Sequence, residues 1–76
     1  MHPDDVKKLL LATLADCEVS VEGDGRHFDI MVVGDLFAGL RPVQRQQKVY
    51  SVLQGEISKG AIHAVNMKTL TPEEHQ

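Results

Sequence analysis

The sequence predicts an α+β domain, a three-stranded sheet with helices packed on one face, in the order helix, strand, strand, helix, strand, helix. Three observations lead there. Two segments repeat apolar residues at helical spacing, two alternating runs flank a Gly-Asp-Gly turn, and a further alternating run follows the second helix. Seventy-six residues make a single domain spanning 1–76, and a chain of this size buries only about 60% of its unfolded surface. That leaves a small core and no room for a deep enclosed active site.

The first helix is expected over about residues 3 to 15. Pro3 suits a first turn, and Asp4 and Asp5 favour the positive end of the helix dipole. Val6, Leu9, Leu10, Thr13 and Leu14 form one buried stripe, with Lys7 and Lys8 away from it. Cys17, Val19 and Val21 then alternate with Glu18, Ser20 and Glu22, which makes a strand. After Gly23-Asp24-Gly25-Arg26-His27 the run Phe28 to Val33 completes a hairpin. Cys17 shares parity with the two valines and reads as a small buried residue rather than a nucleophile.

Gly34 to Leu40, bounded by glycines, reads as a turn or short helical piece. Arg41-Pro42 opens a helix from about 42 to 58, with Val43, Val49, Tyr50, Leu53 and Ile57 as its apolar face and Lys59-Gly60 as its stop. Residues 61 to 69 make the third strand, and Thr71-Pro72-Glu73-Glu74 caps a short closing helix.

Composition narrows the function. Hydrophobic residues at 42% and charged residues at 25% are ordinary for a folded domain. A formal charge of −3 argues against a protein whose main task is coating nucleic acid, and three aromatic residues without tryptophan supply few stacking platforms. A single cysteine excludes an internal disulfide. With no apolar N-terminal run, the expected compartment is the reducing cytoplasm, without membrane attachment.

His63 lies in an otherwise apolar run, Ala61-Ile62-His63-Ala64-Val65-Asn66-Met67. A strand that buries alternate positions has little reason to hold an imidazole unless the ring is hydrogen-bonded or binds something. A crossover helix between the second and third strands makes them parallel, so that neighbouring strands start side by side. His27 stands at the start of one and His63 near the start of the other. Two imidazoles make only half a metal site, and the sequence offers no CxxC or HExxH to complete it. Cys17 lies at the far end of its strand, roughly 17 Å from the loop, and His2 and His75 sit near the chain ends and read as exposed. Two histidines can nevertheless hold one iron of a two-iron cluster if thiolates arrive from elsewhere.

Four ordered blocks carry a resemblance: Gly23-Asp24-Gly25-Arg26-His27-Phe28, Val33-Gly34-Asp35-Leu36-Phe37-Ala38-Gly39-Leu40, Val43-Gln44-Arg45-Gln46-Gln47-Lys48-Val49-Tyr50, and Ile62-His63-Ala64-Val65-Asn66-Met67-Lys68-Thr69. Over nearly its whole length the chain resembles the BolA-like family, most strongly its small bacterial IbaG type. The resemblance implies a fold similar to class II KH domains. It also implies partnership with a monothiol glutaredoxin, in a heterodimer that bridges a [2Fe-2S] cluster for iron–sulfur trafficking or iron sensing. His63 matches the family's final-strand histidine, and His27 matches the His or Cys of its first hairpin loop. A glutaredoxin cysteine and a glutathione thiol would hold the other iron, so no cofactor is expected in the isolated chain.

Arg41, Arg45 and Lys48 recur at i, i+4 and i+7 on the long helix, either as a solvated face or as a surface for nucleic acid or a partner. Some BolA-like proteins are described as transcriptional regulators, which makes DNA binding the alternative function. KH-style RNA binding is a poorer fit, because Gly34 and Gly39 are separated by four residues rather than the two of a GxxG loop. Nothing in the chain suggests catalysis or a small-molecule substrate: there is no nucleophile–base pair, phosphate loop or full metal set.

Overall fold

The computed structural model describes residues 1–76. Helix α1 (Pro3–Thr13) is followed by strands β1 (Glu18–Gly23) and β2 (His27–Val33), a single 3-10 turn (Asp35–Phe37), helix α2 (Pro42–Ser58), strand β3 (Ala64–Leu70) and the short helix α3 (Pro72–His75). The strands lie in the order β1-β2-β3, with β1 and β2 antiparallel and β2 and β3 parallel. This is the predicted order and the predicted class.

Register assigns the two faces of the sheet. Val19 pairs with Val32 and Val21 with Ile30, while Phe28, Ile30 and Val32 stand beside Val65, Met67 and Thr69 of β3. These residues face the helices. Phe28, Ile30 and Val32 form one core with Val6 and Leu10 of α1, Val49 and Leu53 of α2, Phe37 and Ile62. Glu18, Ser20, Glu22, Asp29, Asn66 and Lys68 occupy the opposite face and are exposed, so the sheet is covered on one side only.

Local chemistry fixes the helix ends. His2 caps α1, its Nδ1 accepting from the Asp4 amide at 3.1 Å, and Thr71 Oγ1 accepts from the Glu74 amide at the start of α3. The end of α2 is a Schellman turn. Gly60 takes φ +80°, its amide donates to the Ile57 carbonyl at 3.0 Å, and the Ala61 amide donates to Glu56 at 3.0 Å.

Four expectations are corrected. α1 ends at Thr13, not 15, and Thr13 is exposed. β1 begins after Cys17, although the thiol is buried as expected. The third strand starts at Ala64 because the turn after α2 consumes the residues before it, which leaves His63 outside the strand and exposed. On α2, Val49 and Leu53 are buried, but Val43 and Tyr50 are 58% and 45% exposed and line a groove shared with Val65 and Met67 of β3. Val43 and Tyr50, seven residues apart, share one stripe of the helix, and it lies to the side of the stripe that carries Val49 and Leu53.

Candidate functional site

His27 owes its position to Asp24. The Asp24 Oδ1 atom accepts from the amides of Arg26 at 2.9 Å and His27 at 2.8 Å, and the Asp24 amide donates to the His27 carbonyl at 3.2 Å. Gly25 takes φ +97°, and at Gly23 a Cβ would collide with the His27 carbonyl and lie 2.7 Å from the Phe28 ring. Glycine is therefore required on both sides of the aspartate. The amides of His27 and then Arg26 hold the Asp24 carboxyl down at about 2, so it is ionised at neutral pH. Phe28 turns into the core and His27 to the other side, exposed.

His63 is set by what precedes it. The Schellman turn delivers Ile62 into the core, and the next two amides, of His63 and Ala64, both donate to the Arg26 carbonyl at 2.9 and 3.2 Å. One carbonyl thus ties the start of β3 to the residue before His27, and His27 stands in register with Ala64. The imidazole centroids are 5.5 Å apart with the planes at 80°, an edge-to-face pair. His27 Nδ1 stands 3.5 Å from Asp24 Oδ2.

No group of three or more His, Cys, Asp or Glu residues is arranged to hold a metal ion. Two imidazoles offer two nitrogen donors to solvent, and further ligands have to come from another molecule. Cys17 cannot supply one. It precedes β1 at the opposite end of the sheet from the histidines, and burial, with Asp16 and Asp35 nearby, pushes its thiol pKa up.

The basic trio does not act as a unit. Arg41 and Lys48 are exposed, but Arg45 is folded in, its side chain only 12% accessible. Its guanidinium donates to the Leu40 carbonyl at 3.0 Å, to the Thr69 carbonyl at 3.3 Å and to both Glu74 oxygens at 2.6 and 3.3 Å. Of the three residues expected to form a nucleic-acid or partner surface, Arg45 instead locks α3 against the end of β3. Its charge is spent on Glu74, whose carboxyl it holds at about 2 together with the Thr71 amide. The Gly34–Gly39 segment is no open loop either, since Gly34 and Phe37 are buried. Sequence reasoning missed Asp24 and the Arg45–Glu74 pair. An Asp-Gly turn is a readable signal for the first, whereas a contact between residues 29 apart leaves none for the second.

Comparison with known proteins identifies the family. The family described as BolA-like protein matches residues 12–74. The acid stress protein IbaG of Escherichia coli is 42% identical over 74 residues, which is 97% of this chain and 88% of that protein. The DNA-binding transcriptional regulator BolA of Haemophilus influenzae is 38% identical over 55 residues, 72% of this chain and 52% of that one. The structure of a BolA homologue from Coxiella burnetii superposes with a TM-score of 0.86 at 36% identity, covering 99% of this chain and 96% of the other. Because the family model matches residues 12–74, the Escherichia coli relative aligns over 97% of the chain and the fold superposes on that of a BolA homologue, the chain belongs to the BolA-like family.

Proposed function

We propose that this protein is an adaptor that lends His27 and His63 to a [2Fe-2S] cluster shared with a monothiol glutaredoxin and glutathione. The observation that carries the reading is the exposed imidazole pair, 5.5 Å apart at one end of the sheet with no third ligand in the chain. The residues fit half of the coordination. Neutral imidazoles suit one iron, and thiolates for the other have to arrive with the partner because Cys17 is buried elsewhere. Histidine ligands raise the potential of such a cluster above that of an all-cysteine one and make binding compete with protons. The cluster is cargo, held at the junction of two proteins.

A second reading is a small DNA-binding regulator. It draws on the function named for the Haemophilus relative and on the exposed Arg41 and Lys48. The net charge of −3 and the engagement of Arg45 weigh against it. One set of mixtures separates the two. Reconstitution with a monothiol glutaredoxin, ferrous iron, sulfide and glutathione should give a coloured 1:1 complex whose visible spectrum is lost in His27→Ala and His63→Ala. A spectrum unchanged in both variants defeats the adaptor reading. A salt-sensitive shift of duplex DNA that disappears in Arg41→Ala and Lys48→Ala would favour the regulator.

A further inference from the structure

The two histidines are not held alike. Asp24 Oδ1 is occupied by two backbone amides, which fixes the carboxylate to the same turn that carries His27 and leaves Oδ2 facing the ring, 3.5 Å from Nδ1. That is long for a made hydrogen bond, as orienting contacts in open sites often are. No carboxylate stands beside His63, for the histidine–carboxylate pairs of the molecule are His27 with Asp24 and His2 with Asp4. His2 has the opposite arrangement to His27, since its Nδ1 accepts from the Asp4 amide and its proton must sit on Nε2.

We infer that Asp24 is a positioning residue for His27: its free carboxylate oxygen keeps the ring proton on Nδ1, so that the Nε2 lone pair is presented outward as the ligand atom. A carboxylate behind a ligating imidazole fixes ring orientation and tautomer and makes the outer nitrogen more basic. Because Oδ1 is spent on the backbone, the carboxylate cannot swing away without opening the hairpin. The inference rests on the reading of His27 as a ligand, but the tautomer is a property of the isolated chain and can be measured without any cluster.

The test is long-range ¹H–¹⁵N NMR of the imidazoles in the free protein at about pH 8.5, two units above the ordinary histidine pKa of about 6.5. His27 is expected mainly as the Nδ1–H form, with His2 in the Nε2–H form as the internal reference. Asp24→Asn should reverse His27. The amide has one oxygen, which the Arg26 and His27 amides still claim, so its NH₂ faces the ring and donates to Nδ1. Asp24→Ser, which keeps a turn-forming side chain but has no second oxygen, should also return His27 to mainly Nε2–H. A wild-type His27 already in the Nε2–H form, or an Nδ1–H form that survives both substitutions, overturns the inference. In the glutaredoxin complex, Asp24→Asn should weaken cluster retention by on the order of tenfold. If the complex takes up a cluster but His27 is Nε2–H, the adaptor reading stands and the role of Asp24 falls. If no cluster is taken up but the Nδ1–H form is present and reverses, the positioning holds and the adaptor reading falls.

Discussion

The two ends of the parallel β2–β3 pair treat their polar groups in opposite ways. Where the strands finish, the Arg45 guanidinium bridges Leu40, Thr69 and Glu74, the Gly34 amide donates to the Leu70 carbonyl at 2.9 Å, and Cys17 lies buried against Gly34. Where they start, the backbone is as well tied, through the Arg26 carbonyl and the Asp24 turn, but the imidazoles of His27 and His63 face solvent. At the first end side chains serve the fold. At the second the fold serves the side chains, holding their backbone and leaving their donor atoms free.

The sharpest way to break this contrast is to crowd the closed end. A Cβ at Gly34 would stand 2.5 Å from Cys17 Sγ and 2.9 Å from Leu36 Cδ2, so both side chains would have to shift. Gly34→Val should cost about 3 kcal/mol. In a domain of this size that lowers the melting temperature by on the order of 15 °C. A variant that melts within about 3 °C of the parent would show that this end is softer than its geometry says.

Arg45→Ala should cost less, about 1 to 2 kcal/mol, because Glu74 regains solvent while the Thr69 and Leu40 carbonyls lose a donor. It should also free α3, seen as faster amide exchange at Glu74 and His75. The same pair gives the fold an acid-sensitive side. Glu74 has its carboxyl lowered from 4.5 to about 2 by Arg45 and then Thr71, and Asp24 from 3.8 to about 2 by the His27 and Arg26 amides. A lowered folded-state pKa contributes stability that is complete above the ordinary value and lost as pH falls through the folded one. Urea midpoints should therefore decline from about pH 4.5 towards pH 2, and less steeply in Arg45→Ala. An identical slope in the variant would mean that the ion pair contributes nothing in solution.

The sequence made the open end more legible than the closed one, for physical reasons. Helix stripes, an Asp-Gly turn and a Lys-Gly stop are local signals, and a crossover helix implies parallel strands, so the meeting of His27 with His63 followed from topology. His63 itself lies just before β3 rather than in it and is exposed, so burial in a strand does not account for the imidazole. A Schellman turn takes up residues through Ala61 before the chain can extend, and a glycine after a lysine does not announce how many. Arg45 was misplaced because its neighbours on the helix are exposed cations, whereas its partner Glu74 comes from the last turn of the chain. Long-range pairing decides whether a surface arginine is a surface at all.

The smallest expected effect on stability is the most informative one. His27→Ala and His63→Ala remove side chains that bury little, His27 being 61% exposed, and the backbone bonds that shape this end involve their amides rather than their rings. Each should shift the unfolding free energy by less than about 0.5 kcal/mol. The edge-to-face contact between the rings and the 3.5 Å approach of His27 Nδ1 to Asp24 Oδ2 are the stabilising roles visible for the side chains, and at a solvent-exposed site both are worth little. If either variant lost more than about 1 kcal/mol in a urea titration, the pair would belong to the fold in the way Arg45 does, and loss of the cluster would say nothing about ligation. Unchanged stability with a lost cluster spectrum separates the imidazoles from the fold, and makes the open end of the sheet a site.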